Sequence, residues 1–244
     1  MKALEVDNVR GSIRVRGYDG QTVEMTATKT IYASSESKLQ AALQEVKLDI
    51  TDKADTVSIY VDQPGHERST RSSSHSHWGD RGYDVGFDFD IRAPRRTTLY
   101  LWTVNDGDIN VQDIFGDFDV NNINGGIEMS NLSGSGRAHT INGPVKVAFA
   151  SNPKTDSYFG SLNRDIEVSF QRNLSADLRF KSFNGGVYTD FPVTALPAIS
   201  STAARRNGKF VYKSDGYSGA RVGNGGPTLE FDGFNGDVRI LQAK

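Results

Sequence analysis

The sequence predicts an all-β protein: a single β-solenoid (β-helix) with coils of about 18–21 residues and one short α-helix near the N-terminus. Three observations predict it. A phrase of alternating apolar residues, Asn-Gly and further alternating apolar residues recurs as TVNDGDINV, NINGGIEM and TINGPVKV between Leu99 and Val147. The apolar residue at each turn falls at Val104, Ile123, Ile141, Leu162 and Phe183, in steps of 19, 18, 21 and 21 residues. That spacing suits stacked coils, each rising about 4.8 Å. Finally, only 36% of residues are hydrophobic while 25 are Gly, as a narrow core with many turns requires. The same Asn-Gly pairs also fit two-residue hairpins in an antiparallel sandwich. Ungapped recurrence of the same residue classes in the same order favours coils.

The elements follow in chain order within one domain, 1–244. In the N-terminal part, 1–94, LEVDNVRGSIRV aligns without a gap on FDVNNINGGIEM, with Arg10 in place of the turn Asn. TVEMTATKTIYA reads as a strand. Residues 34–46 place Leu39, Ala42, Leu43 and Val46 at helical spacing behind a Ser N-cap, a helix suited to covering an open end of the stack. KLDITDKADTVSIYVD reads as a hairpin. Residues 63–86 are a polar loop rich in Ser, Gly, Arg and His, and FDFDIRAP restores the alternation. Regular coils occupy 95–190, an insertion with the small strand KFVYK occupies 191–221, and a terminal coil, 222–244, ends on GFNGDVRI.

Lys and Arg total 28 against 30 Asp and Glu, so the net charge is −2. No basic excess marks a nucleic-acid surface. Without Cys, disulfides and thiolate chemistry are excluded. No apolar run approaches the roughly 20 residues of a transmembrane helix. No signal peptide opens the sequence, since MKALEVDNV passes straight into a strand pattern.

Asn-Gly at a corner is explained at this level by the tolerance of both residues for positive φ. Stacked Asn105, Asn124, Asn142, Asn163, Asn184 and Asn235 would form a turn ladder along one corner. With these repeats in view, the chain resembles the bacterial putative-adhesin family with β-strand repeats, a domain of unknown function in envelope proteins. TVNDGDINV, NINGGIEM, SLNRDIEV, LRFKSFNGGVYTDFP and LEFDGFNGDVRIL carry the resemblance, which runs from Leu4 to Leu241. It implies a β-solenoid fold and an extracytoplasmic location (periplasmic, cell surface or secreted). The leader of an exported precursor would then lie ahead of Met1. It implies no catalytic residue and no cofactor.

Three groups are candidate sites. In the 63–86 loop, His75 and His77 with Asp80 could hold zinc or copper, against the plainer reading of a solvated Ser-rich loop. Asp106, Asp108, Asp113, Asp117 and Asp119 crowd one coil, but neighbouring coils do not repeat them, so turn and surface polarity explains them better than an acid–base pair or a calcium ladder. Third, if Leu99 and Leu101 point inward, Tyr100 and Trp102 point outward. Comparable outward positions are polar: Asp117 and Asp119, Arg137 and His139, Arg179 and Lys181, Glu230 and Asp232. Two exposed aromatics on a polar face suit stacking on sugar rings or a partner protein, unless an N-terminal element covers them. No nucleophile elbow, phosphate loop or dinucleotide fingerprint is present. The expected function is a non-enzymatic, envelope-associated surface for glycan or protein binding. The alternatives are a scaffold self-associating through an uncovered terminal coil at Asp237–Leu241, and a carbohydrate-active enzyme on a β-helix.

Overall fold

The computed structural model describes residues 3–66, 81–197, 202–206, 209–213 and 217–243. Alternating burial defines its strands. The first part contains β1 (Ala3–Asp7), β2 (Ile13–Tyr18), β3 (Glu24–Ala33), α1 (Glu36–Glu45), β4 (Lys47–Asp52), β5 (Thr56–Asp62) and β6 (Tyr83–Pro94). The central part contains β7 (Thr98–Thr103), β8 (Ile109–Gln112), β9 (Phe118–Asn122), β10 (Ile127–Leu132), β11 (Gly136–Thr140), β12 (Val145–Phe149), β13 (Ser157–Ser161) and β14 (Ile166–Phe170). The last part contains β15 (Ala176–Ser182), β16 (Val187–Thr189), β17 (Val193–Ala195), β18 (Thr202–Arg206), β19 (Lys209–Lys213), β20 (Ser218–Val222), β21 (Thr228–Gly233) and β22 (Val238–Gln242).

These strands form two large mixed sheets. The first has eleven strands in the order β17-β20-β15-β21-β13-β11-β9-β7-β1-β5-β4, and the second nine in the order β16-β22-β14-β12-β10-β8-β2-β6-β3. A separate pair joins β18 to β19. The arrangement is sandwich-like and corrects the expected single β-solenoid or β-helix. Parallel pairs fill the middle of each sheet, but β4 pairs antiparallel with β5, β3 with β6, and β20 with both β15 and β17. The strand order also leaves chain order. β21 lies between β13 and β15, and β22 between β14 and β16. The terminal coil expected to be uncovered at Asp237–Leu241 is therefore internal, flanked by β14 and β16. The physical reason is that a repeat of residue classes fixes where a strand turns and which face it buries. It does not fix the neighbour with which that strand pairs.

Inward residues from both sheets make one core. From β7 to β14 each strand contributes its alternate residues: Leu99 and Leu101, Ile109 and Val111, Phe118 and Val120, Ile127 and Met129. Phenylalanines bridge the layers. Phe149 stacks on Phe170 at 5.2 Å, Phe159 stacks on Phe231 at 5.4 Å, and Phe170 meets Phe159 edge-on at 6.3 Å. Edge-to-face and stacked rings of this kind add about 0.5–1.5 kcal/mol per pair beyond the area they bury. α1 is N-capped by Ser35, whose Oγ accepts from Lys38 N, and it tucks Ala42 and Val46 into the core beside β3 and β6.

The Asn-Gly corners hold a continuous side-chain chain. Asn124 Nδ2 donates to Asn105 Oδ1 (2.6 Å), Asn142 to Asn124 (2.7 Å), Asn163 to Asn142 (2.7 Å), Asn235 to Asn163 (2.9 Å) and Asn184 to Asn235 (2.8 Å). Asn235 stands between Asn163 and Asn184 because β21 and β22 insert there. Positive φ does not explain the glycines of these corners. Gly125 and Gly143 have ordinary φ, but a Cβ on Gly125 would lie 2.0 Å from Gly107 O and one on Gly143 2.1 Å from Gly125 O. Backbone stacks directly on backbone, and nothing larger than hydrogen fits. Behind the corner runs a second, buried polar column. Thr103, Thr140 and Ser161 donate to the carbonyls of Gly11, Gly125 and Gly143, and Asn122 to those of Gly107 and Gly126. Each buried hydroxyl or amide is thereby satisfied, as burial demands.

Candidate functional site

The outer face of the eleven-stranded sheet carries the exposed aromatics. β7 lies in the interior of that sheet, paired on both sides by β1 and β9, so its outward residues stand on a hydrogen-bonded sheet surface. Leu99 and Leu101 point into the core. Tyr100 and Trp102 point out and are 39% and 40% exposed. Neither the Tyr100 hydroxyl nor the Trp102 indole N–H has a hydrogen-bond partner among the described residues.

Their neighbours are set by the register. Tyr100 stands between Glu5 and Asp119, and Trp102 between Asp7 and Asn121. The outward pair on β9 is thus Asp119 and Asn121, one step along from the expected Asp117 and Asp119. Asp117 lies at the opposite turn, where its Oδ1 accepts from Ser135 N. The strands β5, β1, β7 and β9, adjacent in the sheet, contain no Lys or Arg.

On one flank, His66 folds back over the sheet. Its ring stacks on Tyr60 at 5.0 Å, and its Nε2 lies 3.1 Å from Asp7 Oδ1. On the other flank, β11 brings Arg137 and His139, and β13 brings Tyr158. Arg137 lies over the Tyr158 ring, 4.1 Å from its centroid, rather than in an ion pair with Asp119. Burial, with Arg137 beside it, holds His139 below its ordinary value, so the ring is neutral at pH 7. Farther along, the Tyr217 hydroxyl donates to Glu230 Oε1 at 2.7 Å and Asp232 Oδ2 at 3.1 Å. Burial and these carboxylates raise the pKa values of Tyr158 and Tyr217, so both remain phenols that donate.

The other candidates are placed as follows. His75, His77 and Asp80 lie outside the described residues. The five aspartates of the acidic run do not converge. Asp106 pairs with Arg10 at 3.1 Å, Asp108 accepts from Gly126 N, Asp113 accepts from Asn131 Nδ2, and Asp119 accepts from Asn121 Nδ2. They serve turns at both ends of the strands and one position on the outer face. Among the described residues no group of three or more His, Asp or Glu could hold a metal ion.

Tyr158, Tyr217, Glu5 and Asp7 were missed by sequence reasoning. Tyr158 alternates with buried Ser157 and Phe159 and was legible from that pattern. Glu5 and Asp7 alternate with Leu4 and Val6, but their place beside Tyr100 and Trp102 depends on a pairing across about ninety residues of chain.

The outer face of the nine-stranded sheet is different. Across it run Asp90, Arg14, Asn110, Glu128, Lys146, Glu167 and Arg239, with charges of alternating sign. A shallow hollow of about 410 Å³ opens there beside Lys146, Asp165, Glu167 and Arg239. Arg239 spans it, donating to Asp165 Oδ2 at 2.9 Å and Asp237 Oδ2 at 2.7 Å.

No protein-family model matches the chain, and no curated protein matches it. Among the described residues no helix is long and apolar enough to cross a membrane. The chain is similar in structure to a solved "putative cell adhesion protein" from Clostridium sporogenes, with 11% sequence identity, 99% of this chain and 92% of that chain covered, and a TM-score of 0.45.

Proposed function

We propose that the protein is a non-enzymatic, extracytoplasmic binding module that presents the outer face of its eleven-stranded sheet to a glycan. One observation carries this reading: Tyr100 and Trp102 stand on one outer sheet face, about two-fifths exposed, with both polar tips unpartnered among the described residues. A ring face offers C–H stacking to a sugar, and the phenol and indole donors add hydrogen bonds.

The test is a glycan array followed by titration with Tyr100→Ala and Trp102→Ala. The expected result is a loss of tenfold or more in affinity from either variant with the melting temperature retained. Unchanged binding by both variants would sink the reading.

A second reading has its own observation. β16 is the edge of the nine-stranded sheet and pairs only with β22 among the described strands. Beside it Phe183 is 71% exposed, its ring stacked on Phe234 at 4.9 Å, and Tyr188 is also exposed. An open edge next to apolar rings is a template for a second copy of the chain. Light scattering at rising concentration tests it. A dimer that Tyr188→Lys dissolves is the expected result, and a strict monomer removes the idea.

A further inference from the structure

The binding face has a sign as well as a shape. Glu5 and Asp119 flank Tyr100 directly, and Asp7 flanks Trp102. Neighbouring strands stand about 4.8 Å apart, so all three carboxylates border the two rings. No Lys or Arg side chain lies within ion-pairing distance of any of the three among the described residues. Asp7 meets only His66, and Arg137 is turned over Tyr158. Elsewhere on the same sheet the acids are matched: Glu230 and Asp232 face Arg179 and Lys181 at 4.0 and 3.7 Å.

We infer that the ligand of the Tyr100–Trp102 face is a glycan bearing protonated amines, an amino-sugar polymer with free ammonium groups. This rests on the binding role proposed above and adds the charge. An ammonium over an aromatic face is attracted by the ring quadrupole, and nearby carboxylates add to that attraction. A sugar ring fits better than a basic peptide for a geometric reason. β7 is hydrogen-bonded on both sides, so no peptide strand can add to it, and Tyr100 and Trp102 offer partly exposed rings on which a sugar can stack.

The experiment uses the full chain carrying Trp78→Phe, so that Trp102 is the sole tryptophan, and follows its fluorescence during titration. The probes are a glucosamine hexamer with free amines, its fully N-acetylated counterpart and a lysine hexamer. The expected result is that the free-amine hexamer binds at least tenfold more tightly than the acetylated one. That advantage should shrink as salt is raised and be largely lost in Glu5→Gln/Asp119→Asn, while the N-acetylated hexamer binds that variant unchanged. Equal binding of both hexamers overturns the charge inference and leaves the binding face standing. Lysine hexamer binding as tightly as the aminoglycan, with the same dependence on Glu5 and Asp119, overturns the glycan assignment. No response of Trp102 to any probe overturns the inference, and the glycan array then decides the binding face separately.

Discussion

The two outer faces of the sandwich are built on the same core by the same alternation, yet they solve the problem of facing water differently. On the nine-stranded sheet Asp90, Arg14, Asn110, Glu128, Lys146, Glu167 and Arg239 follow one another in register with charges of alternating sign, and Arg239 bridges two aspartates. On the eleven-stranded sheet Arg179 and Lys181 meet Glu230 and Asp232 at one side. Its other side holds Glu5, Asp7 and Asp119, none of them ion-paired with Lys or Arg among the described residues, beside two partly exposed aromatics. Surface ion pairs contribute about 0–1 kcal/mol each, so little stability distinguishes the two solutions. What differs is arrangement: signs alternate along one face, while the other groups three carboxylates with two partly exposed aromatics.

The most disruptive test of that comparison attacks what the faces share. Phe170 packs against Phe149, Phe159 and Phe231, so it touches both sheets. Phe170→Ala should cost about 3–5 kcal/mol, and chemical denaturation should show both faces lost in one transition. Separate transitions would mean that the sheets are independently stable. Gly125→Ala should come next, at about 3 kcal/mol or less, because its methyl group would meet the Gly107 carbonyl at 2.0 Å. The same denaturation curves read it.

Smaller effects separate the faces. Tyr100→Ala with Trp102→Ala should abolish ligand binding, while Lys146→Ala with Glu167→Ala should leave binding intact, and both pairs should change stability by about 1 kcal/mol or less. Calorimetric titration beside thermal melts measures both. Acid should also act on the faces in sequence. His139 has a lowered folded value, so its contribution is complete above the ordinary value of 6.5 and is lost as pH falls through the folded value. Asp165, lowered chiefly by the Asp237 N–H, and Asp88, lowered by Ser12, keep their contributions above 3.8 and lose them as pH falls through their own folded values. His139→Gln should therefore flatten the stability profile just below pH 6.5 without altering the drop at lower pH, as melts across the range would show.

Much of this was legible in local pattern. Strand positions, the inward and outward residues of LYLW, and a helix behind Ser35 all follow from alternation, helical spacing and a cap. Pairing was not. Nothing in TLEFDG says that β21 inserts between β13 and β15, because its inward Leu229 and Phe231 would suit any layer. The corner glycines were found for the wrong reason: close backbone stacking, visible only in three dimensions, requires them. The unmatched acids were hidden in the same way. Glu5 and Asp119 are unremarkable in their own strands and acquire meaning only when β1 and β9 close around β7.

The insertion of β21 and β22 also imposes an order of events. Among the described strands β16 pairs only with β22, and β15 reaches β13 and the strands beyond it only through β21. At ~5–20 residues per second of synthesis, the segment from Ala176 to Thr189 waits about 3–10 s for residues 228–242 to be made. During that interval Leu178, Phe180 and Val187 have no finished layer to join. β21 and β22 are the keystone: the two sheets reach their full strand order only with these strands in the gap.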